Sequence, residues 1–468
     1  MLFPTTAFLI FFVAVTIGLA TLQRSYEAQK IWLVAASYFF YAQWNWRFCF
    51  LLAFSSTVTY IAGLALERVR TQRSRKRVVA ATVTVHLLTL GFFKYFDFFV
   101  ESGNGLLRAL GVPEALPFIE VILPVGISFF TFHGISYVVD VYRGDVAVCR
   151  RLTDMLLYLA FFPQLVAGPI VRAAKFLPQL YRRPERDFGL AWPLALIVGG
   201  LFKKVVMANF LATGLVDPIF DDPIHYGTPD LLLGIYGYAV QIYCDFSAYT
   251  DIAIGIAALL GFEFPPNFNQ PYRASSLRDF WRRWHISLSS WLRDYLYKPL
   301  GGSRGGALFT ARNLMVTMLL GGIWHGAAWK FVFWGVLHGL GLGVERILFG
   351  RGHAEPRGWA KGVSTIVVFH FVCFGWLFFR ADSFDTAWLY LQMMAQGSPS
   401  LVQATPFTIG LIVLGMALQF APPDMHRRVA AWVLAWPEWA LGAASGTLVL
   451  AIDAVGPDGV APFIYFQF

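Results

Sequence analysis

Hydrophobic runs of about twenty residues recur along nearly the whole chain, which restricts it to a fold made largely of bilayer-crossing helices. Candidate spans lie near residues 7–22, 31–42, 48–66, 78–93, 121–142, 155–171, 190–215 and 231–260. The C-terminal part offers 314–347, read as two elements, then 363–379, 407–420 and 429–452. Several runs are shorter or more polar than a free span. The expectation is an all-α integral membrane protein with about ten to twelve spans, plus re-entrant or interfacial helices. Helices are required because lipid cannot satisfy the open edge of a sheet.

Composition excludes a water-soluble alternative. Of 468 residues, 57% are hydrophobic and only 14% charged, against about 25% charged in a typical soluble domain. No linker or low-complexity tract separates a second body, so 1–468 reads as one polytopic membrane domain. The first basic residue is Arg24, which argues for a retained first span rather than a cleaved leader. The formal charge of +9 marks cytoplasmic loops rather than a nucleic-acid surface. The densest cluster, Arg68, Arg70, Arg73, Arg75, Lys76 and Arg77, follows the third span. Placed inside, it puts the N-terminus outside. The four cysteines, Cys49, Cys149, Cys244 and Cys373, have the spacing of neither a zinc site nor a disulfide framework, and no metal is expected.

The most polar interior stretch, 265–312, is rich in arginine and tryptophan and cannot cross lipid as a simple span. Read as one helix over 278–295, it places Trp281, Trp284, Leu288, Trp291 and Tyr295 on one arc of about 80°. A second arc carries Arg278, Arg282, His285, Ser289 and Arg293. Three guanidinium groups in a line suit a phosphate-rich ligand such as coenzyme A. The plainer reading is an interfacial helix with its arginines on lipid headgroups.

His325 stands in an apolar segment between Gly322 and Gly326, where glycines leave room beside the ring. A histidine at membrane depth suits acid–base work, and a satisfied structural hydrogen bond is the plainer alternative. His338 lies about 220° further round a continuous helix, on a different face unless the helix breaks. Gln241, Asp245 and Tyr249 line one face. There a carboxylate can orient a histidine, pair with an arginine, or belong to a structural ion pair. His133, Asp140, Gln164, Lys203 and Lys204 are further interior polar positions.

Taken together, these segments resemble the membrane-bound O-acyltransferase family, in its bacterial polysaccharide-acetylating branch. The resemblance rests first on Arg278-Asp279-Phe280-Trp281-Arg282-Arg283-Trp284-His285-Ile286-Ser287-Leu288-Ser289 and on Gly322-Ile323-Trp324-His325-Gly326. Segments 161–170, 245–251 and 462–468 support it. The resemblance implies a ring of helices around a central funnel in the bacterial inner membrane. His325 would be the essential histidine and His285 the second motif histidine. It also implies an acetyl group taken from cytoplasmic acetyl-CoA, with no permanently bound cofactor. The group would pass to an exopolysaccharide, alginate in the nearest branch, through a periplasmic acetyltransferase partner. Cellulose, peptidoglycan and teichoic acid are the alternative acceptors. A transporter past the arginine stripe and a purely structural subunit of an export complex are the competing readings.

Overall fold

The computed structural model describes all residues except 1–2, 114–115, 118, 120, 167, 184–188, 351–355, 423–431, 433–435 and 456–468. The sequence motif at 462–468 and part of the expected span 429–452 therefore lie outside the described residues. Every regular element described is helical. Seven helices are long and apolar enough to cross a membrane: Phe48–Arg68, Gln72–Ala109, Ala191–Asp221, Thr228–Leu259, Ala307–His325, Trp329–Phe349 and Trp359–Arg380. Three shorter apolar helices accompany them: Thr6–Thr21, Pro406–Phe420 and Trp439–Ile452.

The chain divides into two compact units. The first comprises Met1–Arg186, Leu260–Phe264 and Gly326–Ala328. Its first helices begin where the sequence supplies caps: Thr5 and Ser25 accept the backbone N–H of Phe8 and Ala28. Inside, Lys30 meets Asp154 at 2.6 Å, both buried. Phe8, Phe11, Phe40 and Phe162 form an aromatic cluster. The guanidinium of Arg75 donates to the carbonyls of Leu66, Val141 and Tyr142, the last turns of two helices. The expected span 155–171 is not one helix. Leu152–Ala160 ends at Phe161, and Pro163 opens a separate turn, Phe162–Leu165, because proline is tolerated only in the first turn of a helix.

The second unit comprises Asp187–Leu259, Pro265–His325 and Trp329–Phe468. Its axis is the 32-residue helix Thr228–Leu259. At about 1.5 Å per residue this helix is some 48 Å long, more than a bilayer core requires. Of its most apolar window, 78% is buried inside the protein, so it faces neighbouring helices more than lipid. Two carboxylates on it are neutralised within the unit. Asp245 lies 2.5 Å from Lys204, and Asp251 lies 2.5 Å from Lys203. The partner of the acidic face is thus lysine, and the plain reading of a structural ion pair holds there.

Helices Ala307–His325 and Trp329–Phe349 form an antiparallel hairpin packed backbone to backbone. A Cβ on Gly322 would overlap the Phe331 carbonyl, and one on Gly335 would overlap that of Met318. Gly322 therefore serves helix approach, not room for substrate.

Candidate active site

All the sequence-predicted site residues lie in the second unit, but they do not share one helix. Residues 278–295 break at Trp284 and His285. Helix Leu277–Arg283 ends on an extended Trp284, and helix Ile286–Leu292 starts after His285, which is left-handed at φ 41° and ψ 57°. Arg293 begins a π-helical turn, Arg293–Tyr297. The continuous two-arc stripe is therefore corrected to two short helices separated by a break at Trp284 and His285. A non-glycine residue in the left-handed region costs about 1–3 kcal/mol and persists only where its surroundings hold it.

What holds it is Asn267, a residue the sequence reading passed over. Its backbone carbonyl accepts from Ile286 N–H at 2.8 Å. Its side-chain oxygen accepts from Ser287 N–H at 3.0 Å and from the Ser287 hydroxyl at 2.9 Å. The Arg283 carbonyl accepts from Asn269 N–H at 2.9 Å, so the bend is bracketed on both sides. The same Asn267 oxygen lies 3.1 Å from Nδ1 of His285. A backbone N–H only donates, so the atom facing Ser287 must be the oxygen, not the amide nitrogen. Nδ1 of His285 therefore donates, and the ring's Nε2 carries the lone pair.

Nε2 of His285 is buried and meets no hydrogen-bond partner among the described residues. The imidazole packs edge-on to Phe246, centroids 4.6 Å apart, and 5.9 Å from the Trp324 ring. Burial pushes its pKa down to about 3, so the ring is neutral at pH 7 and available as an acceptor.

His325 closes its helix next to Trp324, 3% exposed. Its ring lies 5.1 Å from Trp324, 5.0 Å from Trp334 and 5.4 Å from Phe379. Trp324 thus stands between the two motif histidines. His338 is not on a remote face. The helix does break after His325, and the hairpin brings His338 to 4.6 Å from Trp334, the same indole His325 touches.

Of the arginines, Arg278 and Arg282 are exposed, four apart on helix Leu277–Arg283, and so on one face. Neither guanidinium has an ion-pair partner among the described residues. The start of their helix is capped by the Glu345 carboxylate, 2.6 Å from Leu277 N–H. Arg293 is committed elsewhere, with both ends of its guanidinium 3.0 Å from the Asp294 carboxylate. Among the described residues no cluster of histidine, cysteine or carboxylate has metal-binding form.

A neutral base in an aromatic shell, with a second histidine across Trp324 and two exposed arginines on the preceding helix, suits transfer of an acyl group from a phosphate-bearing donor. Residues 150–381, which hold all of these and Asn267, match the membrane-bound O-acyltransferase family. A probable alginate O-acetylase, AlgI, of Azotobacter vinelandii is 38% identical over 509 residues, spanning 100% of both chains. The chain belongs to the membrane-bound O-acyltransferase family. It is a multi-pass membrane protein and an O-acyltransferase. The AlgI of Pseudomonas aeruginosa is 41% identical over 426 residues, covering 88% of this chain and 80% of that one. A peptidoglycan O-acetyltransferase of Helicobacter pylori is 35% identical, covering 78% and 73%.

Proposed function

We propose that this O-acyltransferase takes acetyl groups from cytoplasmic acetyl-CoA and passes them across the bacterial inner membrane for O-acetylation of an exported polysaccharide, alginate first. The names of the relatives support the polymer. The Helicobacter pylori relative makes peptidoglycan the second reading. A periplasmic acetyltransferase completes the reaction, because an extended polymer needs a binding surface beyond a membrane body.

The observation that carries the chemistry is the fixed tautomer of His285. An acceptor hydroxyl attacks the thioester carbonyl, a C–O bond forms and the C–S bond breaks. The hydroxyl proton moves to an imidazole and then to the departing thiolate. His285 offers a bare Nε2 whose orientation Asn267 sets. Its buried ring holds a proton only while a negative charge stands beside it, which the tetrahedral adduct supplies. His325, across Trp324, is the other proton-transfer group, and His325 or His285 can take the first proton. Arg278 and Arg282 bind the donor phosphates, with Arg293 as an outlying member of that set.

The test is acetylation of the exported polymer in cells carrying His325→Ala or His285→Ala at matched membrane abundance. Loss of acetylation with donor binding preserved is expected, by about 10²–10⁴-fold for a displaced base. Near-normal acetylation by both variants overturns the mechanism.

A further inference from the structure

A pair of buried donors lies beside this site. Trp281 Nε1–H donates to Nδ1 of His338 at 3.3 Å. An indole nitrogen only donates, so Nδ1 of His338 is the bare nitrogen and its proton is on Nε2. That Nε2–H is buried and has no acceptor among the described residues. The same holds for Nε1–H of Trp334. Both side chains are 0% exposed. Unsatisfied donors at such depth cost about 1–3 kcal/mol each and call for a partner, either a ligand atom or an ordered water.

The two donors approach the same place. A Cβ built on Gly375, in helix Trp359–Arg380, would lie 3.1 Å from Nε2 of His338 and 3.4 Å from Nε1 of Trp334. A side chain at 375 would press on Nε2 of His338 and lie in contact with Nε1 of Trp334, and glycine avoids both. The rings of His325 and Trp334 are 5.0 Å apart, so this place adjoins His325.

We infer that His338 and Trp334, over Gly375, form a carbonyl-binding subsite that holds the oxygen of the acyl group. This rests on the reading of acetyl-CoA as donor. Two N–H groups aimed at one oxygen polarise a thioester carbonyl and stabilise the oxyanion formed on attack. Trp281 is a positioning residue: its indole N–H fixes the proton of His338 on the nitrogen that faces the subsite.

The test compares two unreactive coenzyme A analogues on the full chain in lipid nanodiscs. One is a ketone in which CH2 replaces the thioester sulfur, keeping the carbonyl. The other is S-ethyl-coenzyme A, with a methylene in its place. The unaltered protein should bind the ketone at least about tenfold more tightly, the worth of a buried hydrogen bond. His338→Phe and Gly375→Ala should each bring that ratio towards one, while His338→Gln, which keeps an N–H, should partly restore it. Equal affinity for the two analogues in the unaltered protein overturns the subsite, leaving a bound water as the donors' partner, and needs no variant to fold. Failure of both analogues to bind is a separate result. It removes coenzyme A as the donor, and the subsite falls with it.

Discussion

The side-chain oxygen of Asn267 sits 3.1 Å from Nδ1 of His285 while also accepting from the Ser287 backbone N–H. One atom thereby sets the bend of the chain and the tautomer of the imidazole. Asn267→Ala should lower kcat for acyl transfer by about ten- to a hundredfold, with little change in donor KM, since the ring is freed but remains present. Ser287→Ala keeps the Asn267–His285 bond and should cost much less. Steady-state kinetics on both variants, with a pH–rate profile, checks this. Equal losses in the two would mean that the bend alone matters.

The arginines should separate by their partners. Arg282→Ala, and Arg278→Ala to a similar degree, should raise the KM for the acyl donor several-fold if donor binding is in rapid equilibrium. Arg293, already held by Asp294, should change KM less when replaced. Donor titration on the three variants distinguishes this set from a headgroup anchor, for which all three KM values stay unchanged.

Acid should loosen the fold through His285. Its folded pKa, about 3, lies below the ordinary value near 6.5. The unfolded chain therefore binds the extra proton first. The stability tied to the neutral ring is complete above about pH 6.5 and is lost progressively as pH falls towards 3. At pH 5.5 the loss is on the order of 1 kcal/mol. Thermal unfolding in detergent should show a shallower decline from pH 7 to 5 in His285→Asn than in the unaltered protein.

Topology can be read at the basic turn. Single cysteines placed at exposed Arg73 and Lys76, in a chain cleared of its own cysteines, should label only from the cytoplasmic side, with the N-terminus periplasmic. Labelling from outside would reverse the side from which the donor enters. Arg75→Ala should also reduce stability, because its guanidinium closes three helix-end carbonyls.

The helices themselves were legible because lipid imposes a length and a polarity that sequence displays directly. The break of 155–171 was also legible in principle, since Pro163 is present in the sequence. The bend at His285 was not. Nothing in residues 278–295 departs from a helical pattern, and the left-handed turn is imposed by Asn267, 18 residues earlier in the chain. The same holds for Lys203 and Lys204, whose carboxylates lie more than forty residues away. The sequence leaves open whether His338 comes near His325, because that depends on where one helix ends and the next begins.

The glycine crossing of Ala307–His325 with Trp329–Phe349 has a consequence for depth. Main chain rests on main chain at Gly322, so the two helices cannot slide past each other by a fraction of a turn, as helices meeting through pliable side chains can. The height of His325, three residues on, is therefore set like a notch on a ruler. Bilayers of different thickness would tilt or strain the outer helices first, and the imidazole would keep its elevation relative to Trp334. Activity measured across lipids of graded chain length should vary little until the hairpin itself gives way.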